Sequence, residues 1–200
     1  MIAIVDYGMG NLRSVTNAFR RLGAEIAVTR DQKVIREARA LVLPGVGAFG
    51  KCVENLRKFD LFDLLKEQMA QGKPYLGICL GMQILLESSE ESPGVRGMAV
   101  IRGRAVRFRG AMKVPHMGWN SVDMVRPAKV FDTIPNGSYF YFVHSYFCEP
   151  DEPVTATTTE YGGKFTSSLE KDNIFACQFH PEKSQAVGLR LLGNFVRLCG

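Results

Sequence analysis

The sequence predicts an α/β fold with a mostly parallel central sheet, flanking helices and an antiparallel strand extension. In the first 90 residues, short apolar runs alternate with segments of helical periodicity, which is the pattern of βαβ units. From residue 100 to residue 178, strand-like segments dominate, and only the last segment returns to helical spacing. The chain has 200 residues and no internal repeat or low-complexity linker, so we expect a single domain over residues 1–200.

The elements of this fold follow in order from the positions of apolar residues, glycine and proline. Apolar and β-branched runs predict the first four strands, at residues 2–6, 25–29, 40–43 and 74–78. Helical spacing predicts helices at residues 11–21, 60–70, 80–87 and 184–198. Pro44 is expected to end the third strand, Asp60 to cap the second helix, and Gly23 and Gly72 to stop the first two helices.

The composition bounds the class of protein and its compartment. Hydrophobic residues make up 46% and charged residues 22%, as in a globular protein. Five cysteines, an odd number without a CxxC pair, argue against a disulfide framework and predict a reducing, cytoplasmic location. The sequence contains neither a basic leader nor an apolar stretch of about 18 residues, so we expect no membrane association.

The formal charge of +5 is a mild excess, and the clearest basic stretch lies between residues 102 and 113. Its members are Arg102, Arg104, Arg107, Arg109 and Lys113. Since no nucleic-acid-binding motif accompanies them, we expect no nucleic-acid partner and interpret the stretch as the solvated face of a strand. A patch that meets an acidic protein partner is the functional alternative.

The most informative segment is KPYLGICLGMQILLE, residues 73–87. A buried strand runs into Gly77-Ile78-Cys79-Leu80-Gly81 and a helix follows, which is the form of a nucleophile elbow. The two glycines leave room for a tight turn, and a helix N-terminus favours a thiolate at Cys79. The Leu80 N–H would then face an oxyanion formed on the attacked carbonyl. The alternative is that Cys79 is a small buried hydrophobe, as we interpret the other four cysteines.

A second segment, NIFACQFHPEK at residues 173–183, supplies a candidate base. Pro181 pushes His180 toward extended geometry, where residues two apart lie on the same side, so Glu182 can orient the imidazole. Cys79, His180 and Glu182 therefore fit the nucleophile, base and orienter of a catalytic triad. A zinc site at Cys177 and His180 is the alternative, but no second ligand pair accompanies them, and we expect neither metal nor cofactor. His144, in the run YFYFVHSY, fits either a place near the substrate or a place in the core.

These motifs resemble a known family. GICLGMQ around Cys79 and FHPEKS around His180 are similar to the G-x-C-x-G-x-Q and H-x-E motifs of the class I, triad-type glutamine amidotransferases. DYGMGNLRSV, LPGVGAFG, PHMGWN and YFVHSY look like the corresponding segments of the glutaminase subunits of imidazole glycerol phosphate synthases. The resemblance spans nearly the whole chain and implies the class I amidotransferase fold.

The resemblance also implies a reaction and a partner. Cys79 would attack the side-chain amide of glutamine, His180 would protonate the leaving ammonia, and water would release glutamate from a thioester. The ammonia would pass to a cyclase subunit, a (β/α)₈ barrel that forms a heterodimer with this chain. There it would react with phosphoribulosyl-formimino-AICAR phosphate to give imidazole glycerol phosphate and AICAR, in histidine biosynthesis.

Further site residues are implied by the same resemblance. The residues that would hold glutamine are Gly47, Gln83, Glu91 and the backbone of Ser145 and Tyr146. Those that would face the cyclase are Asn11, Met117 and Trp119. A second oxyanion donor is expected from the loop 44–47, at the Val46 N–H. Flanking glycines would let that peptide rotate when the partner and its ligand bind; the alternative is an ordinary tight turn.

Three other functions remain open from the sequence. The first is the glutaminase of pyridoxal phosphate, anthranilate or GMP synthesis, against which PHMGWN and DYGMGN argue. The second is a cysteine peptidase on a similar α/β scaffold, which fits the position of Gln83 less well. The third is a non-catalytic protein with a relic site, which an intact triad disfavours.

Overall fold

The computed structural model describes residues 1–200. Its strands are β1 (Ile2–Val5), β2 (Ile26–Thr29), β3 (Ala40–Gly45), β4 (Tyr75–Cys79), β5 (Ser88–Ser89), β6 (Gly103–Arg107), β7 (His116–Ser121), β8 (Asp123–Met124), β9 (Tyr139–His144), β10 (Tyr146–Pro150), β11 (Thr155–Glu160), β12 (Lys164–Lys171) and β13 (Ile174–Cys177). Its α-helices are α1 (Leu12–Arg21), α2 (Gln32–Glu37), α3 (Phe49–Lys58), α4 (Phe62–Ala70), α5 (Leu80–Gln83) and α6 (Gln185–Leu198). No helix is both long enough and apolar enough to cross a membrane.

One mixed sheet of eleven strands organises the chain. Five neighbouring strands are parallel, in the order β2-β1-β3-β4-β13. Beyond β13 the sheet continues through β12, β10 and β6 by antiparallel pairing. Strands β7 and β9 form a separate antiparallel pair. The predicted fold class, a mostly parallel sheet with an antiparallel extension, is confirmed.

The inner parallel strands β1, β3, β4 and β13 are buried on both faces, which explains their continuous apolar runs, whereas the edge strand β2 is only half-buried. Because side chains alternate along a strand, Ala3 and Val5 of β1 pack into one core, while Ile2 and Ile4 pack into the other. Helices α3 and α4 bury their apolar faces in the first core, and α1 and α6 bury theirs in the second. The sheet is thus held between two helical layers.

Two helices were missed by the sequence interpretation. Helix α2 is only six residues long, and its signal is Asp31, whose carboxylate accepts the N–H groups of Lys33 and Val34 at 2.8 and 3.3 Å. Helix α3 follows directly on the glycine-rich loop 44–47 and has no side chain that caps its first turn. Its apolar positions, which include Cys52 and Leu56, all face the core.

Two predicted boundaries were wrong. Strand β3 continues through Pro44 to Gly45, because pairing with β1 has ended at Val42 and the proline lies where only β4 is a neighbour. Asp60 does not cap α4, since it has a φ of +55° and the helix starts at Phe62 without a capping side chain.

The predicted helix over residues 80–87 was too long. Helix α5 ends at Gln83, after a single turn. The carbonyls that would continue it accept instead from the segment 98–101: Met98 N–H donates to Ile84 at 2.8 Å and Val100 N–H to Leu85 at 2.9 Å. Tertiary hydrogen bonds have therefore replaced the helical ones, which no local pattern would reveal.

Candidate active site

Cys79 lies at the sharp turn between β4 and α5. Its φ of +54° and ψ of −104° lie in a region that residues with a side chain rarely adopt, as in a nucleophile elbow. Gly77 and Gly81 allow the turn to close. A Cβ on Gly77 would collide with the Gly81 carbonyl, and one on Gly81 would collide with the Leu43 carbonyl of β3. Both glycines are therefore required by backbone contacts.

We expect Gly81→Ala to lower the free energy of unfolding by about 3 kcal/mol or more, since overpacking costs about 1–3 kcal/mol even where side chains can move. Here the obstacle is the backbone of β3, which cannot move alone. Urea denaturation of wild type and variant would measure the difference. Gly23→Ala is the control for the loss of a glycine, because a Cβ there meets no atom within 4 Å, although its φ of +71° carries its own strain. An equally small effect at both positions would contradict this prediction.

His180 and Glu182 form a buried pair. His180 Nδ1 lies 2.9 Å from Glu182 Oε1, and both side chains are 1% exposed. His180 is extended, as predicted, but Glu182 belongs to a 3₁₀ turn over Pro181–Lys183. The two side chains therefore meet around a turn, and the expectation of extended geometry is confirmed at His180 and wrong at Glu182.

The imidazole of His180 interacts with both Cys79 and Glu182. Burial lowers its pKa, but hydrogen bonds and charge interactions with Cys79 and Glu182 outweigh burial and raise that pKa to about 10. Nδ1 is engaged by Glu182, and Nε2 is buried without a hydrogen-bond partner. Nε2 is therefore the atom that can exchange a proton with the Cys79 sulfur.

Strand pairing explains how residues so far apart in the sequence meet. β4 and β13 are parallel neighbours, with Ile78 opposite Cys177. Cys79 is the last residue of β4 and His180 lies three residues beyond the end of β13, so both are at the carboxyl ends of two central strands. In open α/β sheets this edge is where ligands bind. The register of β4 and β13 therefore places the candidate nucleophile beside the candidate base.

A cavity of about 400 Å³ opens beside Cys79. Its lining contains every residue that the sequence interpretation assigned to glutamine or to the oxyanion: Val46, Gly47, Leu80, Gln83, Glu91, Ser145 and Tyr146. Pro115, Val143 and His144 complete the wall. The structure thus brings these residues to one concave site next to the sulfur.

Two polar side chains in this region have defined partners. Gln83 Nε2 donates to the Tyr146 carbonyl at 3.0 Å and to Gln178 Oε1 at 3.2 Å. Glu91 Oε2 accepts the Phe49 N–H, at the first turn of α3, at 2.7 Å. Gln178 was not identified from the sequence; it is fully buried, and its Nε2 lies 3.5 Å from the Cys79 sulfur.

The residues predicted to face a partner lie on strand β7 and just before helix α1. Met117 and Trp119 alternate with His116 along β7 and are 61% and 46% exposed. Asn11 precedes α1, after the loop that brings Gly10 against the Pro44 carbonyl. Exposed large apolar side chains of this kind are typical of interaction sites.

The zinc alternative finds no support in the geometry. No group of three or more His, Cys, Asp or Glu side chains is arranged to hold a metal ion. The Cys177 thiol instead donates to the Phe179 carbonyl at 3.4 Å.

We expect iodoacetamide to alkylate Cys79 before any other cysteine. Burial raises the pKa of Cys52 to about 12 and that of Cys199 to about 11, and it also raises the pKa values of Cys148 and Cys177. Cys79 alone lines the cavity and lies beside an imidazole. Peptide mapping by mass spectrometry after brief labelling would locate the adduct. First modification at another cysteine would contradict this expectation.

Comparisons with known proteins agree with this geometry. The model of the family "Glutamine amidotransferase class-I" matches residues 3–198. The "Imidazole glycerol phosphate synthase subunit HisH" of Methanothermobacter thermautotrophicus is 51% identical over 99% of this chain and 98% of its own length. The protein of the same name from Methanocaldococcus jannaschii is 46% identical, covering 99% of this chain and 100% of its own.

Solved structures support the same fold. A crystal structure of a glutamine amidotransferase superposes with a TM-score of 0.79 at 18% identity, covering 100% of this chain and 98% of the other. The chain belongs to the class I glutamine amidotransferases. Within that class it belongs to the family of imidazole glycerol phosphate synthase subunits named HisH.

Proposed function

We propose that this protein hydrolyses glutamine to glutamate and ammonia and delivers the ammonia to the synthase subunit of imidazole glycerol phosphate synthase. The observation that carries the proposal is a strained, cavity-lining cysteine beside a buried His–Glu pair. The full-length similarity to HisH proteins favours this function over the other glutaminases, and over a peptidase or a relic site.

In the proposed mechanism, the Cys79 sulfur attacks the side-chain carbonyl of glutamine and forms a carbon–sulfur bond. The oxyanion of the tetrahedral intermediate is held by backbone N–H groups. The first is that of Leu80, which opens α5 and has no acceptor within the helix. The second is proposed to be that of Val46, from the loop on the other side of the cavity.

His180 acts as the general acid in the first half-reaction and as the general base in the second. As the intermediate collapses, the carbon–nitrogen bond breaks and the imidazolium gives its proton to the leaving nitrogen, which departs as ammonia. The neutral imidazole then takes a proton from water as that water attacks the thioester carbonyl. When the carbon–sulfur bond breaks, glutamate leaves, and the Cys79 sulfur and the His180 imidazolium return to their starting forms. Glu182 keeps the ring oriented and stabilises its charged form, consistent with the raised pKa of His180.

The glutamine itself would be held by groups on three sides of the cavity. Gln83 and Glu91 supply polar side chains, and Gly47, Ser145 and Tyr146 supply backbone groups. The Gln83 and Tyr146 positions are linked by a hydrogen bond, so they would act as one surface.

The partner is proposed to be a (β/α)₈-barrel cyclase that meets Asn11, Met117 and Trp119. Ammonia in bulk water at neutral pH is mostly ammonium, which is not a nucleophile. A dry passage across the interface would keep the ammonia reactive, in line with the exclusion of water from closed sites. We also propose that residues 1–200 act as one amidotransferase domain.

The loop 44–47 is proposed to switch the activity. Gly47 has a φ of +107°, and a Cβ on Gly10 would lie 3.0 Å from the Pro44 carbonyl, so the loop lies directly against the segment that leads to Asn11. Contact of the partner with that segment would rotate the Val46 peptide and complete the oxyanion site. Glutamine would then be hydrolysed only when the ammonia can be used.

The decisive experiment is to measure glutamate release by this chain alone, with the cyclase subunit, and with the cyclase and its ligand. The proposed function predicts hydrolysis in the liganded complex, and the switch predicts a rate far above that of the isolated chain. No hydrolysis in any mixture would refute the function. Equal rates in all three would refute the switch alone.

A further inference from the structure

Two histidines outside the triad form a continuous hydrogen-bonded row that ends at the proposed glutamine site. His116 of β7 lies directly opposite His144 of β9. His116 Nδ1 is 2.9 Å from His144 Nε2, and His144 Nδ1 is 2.8 Å from the Tyr146 carbonyl. At the other end, His116 Nε2 is 3.3 Å from Asn120 Nδ2.

The direction of every bond in this row follows from its two ends. A carbonyl oxygen only accepts, so His144 must carry its proton on Nδ1. In a neutral ring Nε2 then accepts, so His116 must donate from its own Nδ1 and accept at Nε2. The Asn120 amide agrees, since its Nδ2 also donates to the Glu160 carbonyl at 2.9 Å and its Oδ1 accepts the Ser121 N–H at 2.8 Å.

The surroundings of both rings keep them uncharged. His116 stacks between Phe142 and Tyr161, with ring centroids at 4.9 and 4.0 Å, and His144 packs against Phe108 and Phe165. Burial lowers the pKa of His116 to about 4 and that of His144 to about 3. Neutral, singly protonated rings therefore persist at physiological pH.

The row joins two functional surfaces. On β7, His116 and Asn120 point inward, while Met117 and Trp119 between them are exposed on the face proposed to meet the partner. At its other end the Tyr146 carbonyl also accepts from Gln83 and lines the cavity beside Cys79. Both hydrogen bonds to this carbonyl thus come from residues of the site wall.

We infer that His116 and His144 are positioning residues for glutamine: as a neutral pair with fixed tautomers, they hold the backbone at Ser145 and Tyr146 in place from the partner-facing strand. This inference rests on the proposed function for the identity of the substrate. It assigns the two rings no proton transfer and no contact with the reacting atoms. Their effect is on substrate binding, through the Tyr146 carbonyl.

The tautomers are tested directly by ¹⁵N NMR of the histidine rings of the full chain. The sequence contains only three histidines, so single substitutions assign every ring signal. We expect His116 and His144 both to be neutral and protonated at Nδ1 at neutral pH. Protonation at Nε2 in either ring, or titration of either ring between pH 6 and 8, would overturn the inference.

The positioning role is tested by steady-state kinetics of the complex with its cyclase. His144→Phe fills the aromatic site but removes the donor, and we expect KM for glutamine to rise about three- to tenfold with kcat nearly unchanged, the scale of one lost hydrogen bond. His144→Asn places an amide N–H near the position of Nδ1 and should recover most of the loss. For His116 we expect the same order, with a higher KM for glutamine in His116→Phe than in His116→Asn, but a smaller difference.

Each result has a distinct meaning. A KM for His144→Phe equal to that of wild type, or no recovery in His144→Asn, would overturn the positioning role. If His144→Phe does not fold, the positioning role is tested instead by comparing His116→Phe with His116→Asn and by the NMR spectrum of the wild-type protein. If the wild-type complex releases no glutamate, the proposed function fails, while the NMR result still decides whether the fixed row exists.

Discussion

Replacing Cys79 by alanine is expected to lower the rate of glutamine hydrolysis by about 10⁴-fold or more, the scale found when the nucleophile of a triad is removed. The reason is that Cys79 is the only thiol in the cavity lining: the hydroxyls of Ser145 and Tyr146 are weaker nucleophiles than a thiol, and the His144 ring is engaged by His116 and Tyr146. Without the sulfur, no thioester can form. Glutamate release by the complex with cyclase measures the effect.

The matched control is Cys199→Ala. Cys199 follows α6 and donates its thiol to the Phe195 carbonyl at 3.0 Å, away from the cavity, so its removal should leave the rate near that of wild type. A second control supplies ammonium salt in place of glutamine. The Cys79→Ala complex should then make product at the wild-type rate, because the partner's chemistry needs only ammonia. Glutamine hydrolysis by Cys79→Ala above one-tenth of the wild-type rate would refute the role of Cys79.

Replacing His180 by glutamine is expected to have an effect of similar size, about 10⁴-fold on kcat. The amide can fill the space of the ring but cannot exchange a proton at neutral pH, so neither the departure of ammonia nor the activation of water is assisted. The substitution also leaves the carboxylate of Glu182 buried without its only hydrogen-bond partner. Pre-steady-state and steady-state glutamate release would locate the blocked step.

Alkylation of Cys79 separates the role of His180 from a general loss of structure. If the imidazole activates the sulfur, His180→Gln should also slow the reaction of Cys79 with iodoacetamide, while circular dichroism and the ammonia-dependent reaction stay unchanged. Normal glutaminase activity in His180→Gln would exclude His180 as the base, and an unchanged rate of alkylation would exclude it as the group that activates the sulfur. Substituting Cys79 and substituting His180 are expected to lower the glutaminase rate by similar factors, because the two residues act as one catalytic unit.

Local sequence patterns were sufficient for the fold class and for most of the parallel strands. β1 and β4 lie where continuous apolar runs placed them, because strands buried on both faces leave a signal in every residue. The half-buried edge strand β2 also lies within its predicted range, residues 25–29. Glycine spacing around Cys79 was equally informative, since Gly77 and Gly81 are fixed by backbone contacts a few residues away.

Features that depend on distant partners were not predictable. Helix α5 ends early because residues 98–101 take its carbonyls, and Gln178 reaches the Cys79 sulfur only because β13 lies beside β4. The pairing of His116 with His144 depends on the register of β7 with β9, which neither segment encodes alone. Such contacts are set by tertiary packing rather than by propensity or spacing.

The neighbouring positions of β4 and β13 have a consequence for hydrogen exchange. Cys79 ends β4 and His180 lies just beyond the end of β13, and these two strands pair at the centre of the sheet. The amides that pair β4 with β13 should therefore exchange only when the whole molecule opens. In the loop 44–47, the amides beyond Gly45 are far less protected from exchange, because the chain leaves the sheet after that residue. Local fluctuations would therefore leave the distance between Cys79 and His180 unchanged. The rate of global unfolding, rather than local unfolding at the site, would limit the lifetime of the active protein.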